Sequence, residues 1–232
     1  MHFRNFLLRA LPDDDAAHLT PQLKEVSLSR GQPLYEPGDT VSTLYFPSSA
    51  CISIVSVMRD GRLVETTTIG RESAPALLDA VTDQPATSRI FVQVSGAALT
   101  LSSKAYRARL AVSPLLVELT LRHARGLSQQ AELGVGCNLA HHAEGRLARW
   151  LLMTQDRIGT DVLPLTQDYL AVMTGVQRTT VSLMAAALKK AGVISYSRGH
   201  LTIVDRDALM ARACECYAIS EQQFEELRGV EA

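Results

Sequence analysis

Three groups of residues in this 232-residue chain carry side chains suited to chemistry: four cysteines, a histidine pair, and a run of short polar and cationic residues around Arg178. Cys51, Cys137, Cys214 and Cys216 have neither the spacing of a disulfide framework nor that of a four-ligand zinc site. The expectation is reduced thiols in a reducing compartment. Cys214 and Cys216 invite a metal or redox role, but no second pair completes one, so they read as thiols beside a helical tail. His141 and His142 are adjacent with no third ligand evident in the sequence, which favours capping or solvated roles. No metal and no cofactor is therefore expected. A jelly-roll enzyme of the cupin type needs clustered His and carboxylate ligands, and of six histidines only His2 and His18 precede the long helix described below. The third group is different. Gln177, Arg178, Thr179, Thr180, Ser182 and Lys189 suit hydrogen bonding to nucleic acid, and Arg178 can donate two parallel bonds to guanine O6 and N7.

Those residues lie within "TQDYLAVMTGVQRTTVSLMAAALKKAG", from Thr166 to Gly192. Thr166 is a helix cap with Asp168 in the first turn, and Leu170 and Met173 face inward. Gly175 interrupts the helical pattern, Val176 returns to the core, and a second helix starts near Gln177. Val181, Met184, Ala185 and Leu188 form its buried stripe at i, i+3, i+4 and i+7, and Gly192 ends it. Two helices across a short glycine turn make a helix-turn-helix. An ordinary helical hairpin has the same spacing, but "VISYSRGHLTIVD" follows, two β-prone runs around a tight turn with Arg198 at its tip and His200 after it. This is a wing. Arg198 and Thr166 are assigned to phosphates and Arg178 to bases.

Charge agrees with that placement. The formal net charge is −1, yet residues 138–204 hold seven Lys/Arg against four Asp/Glu, and residues 205–232 hold three against seven. A basic bias thus coincides with the helix pair and an acidic tail follows it. Length and a hydrophobic content of 47% suit two cores. No apolar run approaches the roughly 18 residues of a membrane span, and "MHFRNFLLRALPDDD" turns acidic too soon for a signal peptide, so a cytoplasmic protein without membrane contact is expected.

The first hundred residues must form the other core. "SRGQP", "EPGDT", "FPSSA", "RDGR", "IGRES" and "SGA" separate short runs such as Thr43 to Phe46, Cys51 to Met58 and Ile90 to Val94, the pattern of an all-β sandwich, barrel or jelly roll. Asp60-Gly61 predicts a hairpin with positive φ at both central residues. From Ser113, an N-cap before Pro114, the period becomes helical. Val117, Leu121, Ala124, Ser128, Ala131 and Val135 recur at steps of four and three, a stripe suited to a parallel helix partner. Leu116, Leu119 and Leu127 supply a second face for the chain's own β domain. A further helix from about His141 to Arg157 carries Leu147, Trp150, Leu151 and Ile158 inward, and "DVLPL" is extended.

These residues resemble the Crp/Fnr family of bacterial transcription regulators. The likeness runs through "LYEPGDTVSTLYF", the helix from Ser113 to Gly136, and, most specifically, the segment from Leu165 to Ile203. It implies an α+β fold: an N-terminal double-stranded β-helix or jelly roll as sensor (1–112), a long dimerisation helix (113–137) and a C-terminal winged helix-turn-helix with a helical tail (138–232). It also implies a homodimer on a palindromic double-stranded DNA operator, with RNA polymerase as a further partner. Members that bind cyclic nucleotides hold the ribose with Glu and the phosphate with Arg. Aligned on "IFVQV", the Arg position falls on Ser88, with Arg89 one residue along and so on the opposite strand face. Glu72 stands near the missing Glu, but Pro75 alters its turn. Glu72, Ser88 and Arg89 remain the candidate effector pocket, and cyclic AMP is not the expected ligand; a non-standard pocket for a cyclic nucleotide or another small molecule is the alternative. The N-terminal cysteine cluster of oxygen-sensing members is absent, which argues against an iron–sulfur centre. Thr179 and Leu183 stand where members reading the well-known operator have Glu and Arg, so a different operator is expected.

Overall fold

The computed structural model describes residues 3–197 and 199–229, the side chains of Gln167, Asp168 and Val172 excepted. Two short helices, α1 (Phe6–Arg9) and α2 (Asp13–Leu19), lead into strands β1 (Lys24–Leu28), β2 (Pro33–Tyr35), β3 (Thr43–Pro47), β4 (Cys51–Val57) and β5 (Leu63–Ile69). Helix α3 (Leu77–Thr82) interrupts the strand series before β6 (Arg89–Val94) and β7 (Gly96–Ser102). They form two antiparallel sheets, in orders β1-β7-β3 and β2-β6-β4-β5. Leu28, Leu44, Phe46, Ile52, Ile90, Val92, Ala98 and Leu101 come from both sheets into one core. The β roll is therefore built by alternation, inward residues of each sheet meeting those of the other.

One sheet is buried on its second face as well. Cys51, Val55, Phe91 and Val94 belong to a separate core whose other members, among them Leu147, Trp150, Leu170, Val181 and Leu201, come from the C-terminal half. That explains why β6 reads as an almost unbroken apolar run rather than an alternating one.

The hairpin joining β4 and β5 differs in detail from expectation. Gly61 alone has positive φ, at +83°, and Met58 N–H donates to the Arg62 carbonyl at 2.9 Å. Asp60 stays outside the left-handed region and accepts from Arg62 N–H at 3.1 Å. A three-residue loop closed by one left-handed glycine thus replaces the two-residue turn.

After α4 (Ser103–Leu110), helix α5 (Pro114–Ala140) begins at the expected cap: the Ser113 hydroxyl accepts from Leu116 N–H at 3.1 Å. Its inner face buries Leu116, Leu119, Thr120 and His123, and Gln130 donates to the Thr68 carbonyl at 3.1 Å. Its other side leaves Val117, Leu121, Ser128 and Val135 at least partly exposed, with Leu121 at 59%, and Ala131 half-buried. Ala124 departs from that stripe: it is only 8% exposed within its own chain. Leu139, at 86% exposure, extends the apolar side by one turn that the spacing had not included.

The C-terminal half comprises α6 (Ala143–Ile158), β8 (Val162–Leu163), α7 (Gln167–Thr174), α8 (Arg178–Lys190), β9 (Ile194–Ser197), β10 (His200–Ile203), α9 (Arg206–Met210) and α10 (Cys216–Arg228). His141 caps the end of α5 and His142 the start of α6. Most of the described part of the acidic tail is helical, in α9 and α10. α10 packs along α5 and α6 and reaches the start of the chain, where Phe224 meets Phe6 edge-on at 5.0 Å and Arg9 donates to the Arg228 carbonyl at 2.6 Å. Among the described residues, no helix is long and apolar enough to cross a membrane.

Candidate nucleic-acid interface

Thr166 starts α7 as its sequence suggests, its hydroxyl accepting from Tyr169 N–H at 3.3 Å. Leu170 and Met173 are buried, and the helix stops at Gly175, whose φ of +65° reverses the chain at no steric cost to a residue without Cβ. Gln177 caps α8, in which Val181, Ala185 and Leu188 are buried and Met184 is half-buried. The opposite side carries exposed Gln177, Arg178, Thr179 and Lys189, with Thr180 and Ser182 partly covered. Ser182 Oγ donates to the Arg178 carbonyl at 3.0 Å, so its hydroxyl is engaged with its own helix. Leu183 is 73% exposed in the middle of this side. An apolar side chain there suits a thymine methyl rather than a hydrogen-bonded base edge.

β9 and β10 form the wing, with His200 paired to Ser197 and β8 completing a three-stranded sheet of order β8-β10-β9. His200 is exposed. Arg198, assigned to phosphate, lies outside the described residues, as does the Asp168 side chain. A Cβ built on Gly199 would sit 4.0 Å from Thr166 Cγ2, so the wing turn and the α7 cap share one edge.

The reverse side of this unit rests on the β roll. Tyr169 of α7 meets Phe91 edge-on at 6.5 Å, and Arg30 lies over the Tyr169 ring while donating to the Pro164 carbonyl at 2.8 Å. Glu65 of β5 accepts from Trp150 Nε1 at 2.8 Å, Gln93 Nε2 at 2.9 Å and Ser53 Oγ at 2.7 Å. Burial pushes the Glu65 carboxyl up to about 7 against the Ser53 and Trp150 hydrogen bonds and the fields of Arg157 and Arg149.

The candidate effector residues do not converge. Glu72 is buried and committed to Arg157 of α6 at 2.7 Å, and its second oxygen accepts from Gly70 N–H at 2.9 Å. The approach is close: a Cβ on Gly70 would lie 2.6 Å from Arg157 Cβ. Asn5 and Phe6 close the same turn, Asn5 Nδ2 donating to Ser73 O at 2.9 Å and Phe6 N–H to Arg71 O at 2.7 Å. Arg89 pairs with Glu36 at 3.2 Å, and Ser88 is half-buried just before β6. Glu72, one of the three candidate effector residues, here forms a buried ion pair with Arg157 of α6, as a buried carboxylate needs a counter-charge and the chain supplies it.

Sequence spacing also missed a cluster. Cys137, His141, Cys214 and Cys216 are brought together although the first and last stand at opposite ends of the C-terminal half, while Cys51 lies apart in the core beneath β4. The only local signals were the i, i+4 pair Cys137 and His141 and the Cys-x-Cys pair.

A β roll, a long helix and an exposed helix pair beside a wing define a DNA-binding regulator. Residues 145–212 match the family model of the Crp-like helix-turn-helix domain. The "CRP-like cAMP-activated global transcriptional regulator" of Mycobacterium tuberculosis (strain H37Rv) is 26% identical over 204 residues, 85% of this chain and 91% of that one. The fold is shared with FixK2 from Bradyrhizobium japonicum (TM-score 0.70, 14% identity, 83% of this chain and 98% of that). It is shared too with TTHB099, a CRP-family transcriptional regulator from Thermus thermophilus (TM-score 0.65, 18% identity, 83% and 99%). Residues 145–212 thus form a Crp-like helix-turn-helix domain, a DNA-binding unit, and the chain as a whole is similar to transcription regulators of the Crp/Fnr type and shares their fold, with a cyclic-nucleotide-binding-like β roll.

Proposed function

We propose that the protein is a homodimeric, sequence-specific regulator that binds a palindromic operator and does not respond to cyclic AMP. Residues 1–112 act as sensor, 113–137 as the dimer helix and 138–232 as the DNA-binding unit. The observation that carries DNA binding is the exposed start of α8, where Gln177, Arg178 and Thr179 stand beside the Thr166 cap and the wing turn. Arg178 reads a base, while Thr166, Thr180, Ser182, Lys189, Arg198 and His200 serve the backbone or flanking positions. Dimerisation is supported by the exposed apolar side of α5, where Val117, Leu121, Val135 and Leu139 are left uncovered by the chain's own described residues. Two-fold pairing sets two recognition helices about one DNA turn apart, roughly 34 Å. RNA polymerase contact belongs to the same reading.

Independence from cyclic AMP rests on occupancy. Glu72 is paired with Arg157, and Arg89 with Glu36, so neither awaits a ribose or a phosphate. The mycobacterial relative carries cyclic-AMP activation in its description, and this chain departs from the cyclic-nucleotide pattern where the nucleotide would be held.

Sedimentation and competition binding test the reading together. The wild-type protein is expected to sediment as a dimer at micromolar concentration, with Leu121→Asp lowering both dimer content and operator affinity. A wild-type monomer that binds its operator fully overturns the dimer, and saturable low-micromolar binding of cyclic AMP by calorimetry overturns the independence.

A further inference from the structure

Cys137 sits in the last turn of α5 and His141 is its C-cap, one turn further on; the His141 N–H donates to the Cys137 carbonyl at 3.1 Å. Cys214 precedes α10 and Cys216 opens it, with Glu215 as the cap between them. Four donor atoms from two distant segments therefore converge, all within 4.8 Å of one another. Cys137 Sγ lies 3.5 Å from Cys214 Sγ, and Cys216 Sγ lies 3.6 Å from His141 Nδ1.

Those two separations match the edges of a small tetrahedron. Zinc bound at about 2.3 Å to sulfur and about 2.0 Å to nitrogen leaves its ligands roughly 3.5–3.8 Å apart. A disulfide would require sulfurs at about 2.05 Å, well inside the observed gap. The surroundings also suit a metal. His141 Nε2 lies 3.5 Å from Glu215 Oε1, the carboxylate placement that fixes the tautomer and leaves Nδ1 with its lone pair toward the sulfurs. Cys216 also lies at the positive end of a 13-residue helix. Backbone approach is close as well: Cys214 N–H reaches the Gly145 carbonyl at 3.4 Å, where a Cβ on Gly145 would lie 3.3 Å from that nitrogen.

We infer that Cys137, His141, Cys214 and Cys216 form a tetrahedral Cys3His site for a single zinc ion. Three sulfurs and one imidazole nitrogen, with no position left for water, describe a structural rather than a catalytic centre. The ion pins the end of α5 to the start of α10. Between them lies α6, whose Trp150 and Arg157 hold the β roll, so the site fixes the joint between the two halves of the molecule. This does not depend on which operator or effector the protein uses.

The test is metal analysis of the full chain purified without chelator. One zinc per chain is expected, lost in Cys214→Ser and in Cys137→Ser and retained in His142→Ala, whose side chain is outside the cluster. Wild-type protein stripped of metal and given cobalt is expected to show the absorption bands of tetrahedral cobalt–thiolate coordination, which keeps the inference testable if the serine variants fail to fold. Glu215→Gln is expected to keep the stoichiometry and weaken zinc about tenfold. Stripped wild-type protein that takes up neither ion while its thiols remain reduced overturns the site. So does a Cys137–Cys214 disulfide in protein prepared anaerobically.

Discussion

The start of α8 and the turn at 70–76 are the places proposed above for DNA and for an effector, and they are occupied differently. α8 presents Gln177, Arg178, Thr179 and Lys189 to solvent. The turn gives its groups to the chain: Glu72 to Arg157, Ser73 O to Asn5 and Arg71 O to Phe6. The first is solvent-exposed, whereas the second is closed by two other segments of the chain. Any signal sensed by the β roll would then act on the winged unit through contacts such as Glu72–Arg157 and Glu65–Trp150.

The largest expected effect comes from breaking the closed side. Arg157→Met leaves Glu72 buried without a counter-charge and is expected to cost about 3–5 kcal/mol of folding stability by urea unfolding. The Arg157→Met, Glu72→Gln double variant is expected to recover most of it. A single-variant loss within the error of the measurement would mean that the turn is open after all.

Arg178→Ala probes the open side. It is expected to cost about 1–3 kcal/mol of operator affinity and to relax preference at one base pair per half-site, without shifting the unfolding midpoint. Equal weakening on operator and random DNA in competition binding would reassign Arg178 to phosphate.

Gly175→Ala lies between the two surfaces. Nothing lies within 4 Å of the added Cβ, so the cost is the left-handed backbone alone, about 1–2 kcal/mol by denaturant unfolding. A neutral result would show that the helix pair can turn without that conformation.

The smallest effect is a pH dependence. The Glu65 carboxyl is raised to about 7 in the folded protein from an ordinary value near 4.5, so the folded state holds its proton more tightly. Its contribution is fully present below about pH 4.5 and is lost as the pH rises through about 7. Glu65→Gln is expected to flatten that part of the stability profile by about 1 kcal/mol, allowing for the carboxylate's partial access to water. An unchanged slope between about pH 5 and 8 would place the titration elsewhere.

How much of this was legible in the sequence follows from distance along the chain. The α7–Gly175–α8 pattern, the Ser113 cap and the wing declare themselves within a few residues, because periodicity, caps and turns are local. The hairpin at Asp60-Gly61 was legible as a turn but not in type, since Asp60 can satisfy Arg62 N–H through its side chain. Glu72–Arg157 and Cys137–Cys214 join residues from separate elements, and no local rule pairs them. The burial of Ala124 was not legible for the same reason: spacing places a side chain on a helix face, while tertiary packing decides what covers it.

The Phe6–Phe224 contact sets the order in which the molecule is finished. The β roll and the winged unit each assemble largely from contiguous chain and can form as the polypeptide emerges from the ribosome. The edge contact between these rings, and the Arg9 bond to the Arg228 carbonyl, close only once the last helix has been synthesised. Until α10 has emerged from the ribosome, that final latch between the two ends of the chain stays undone.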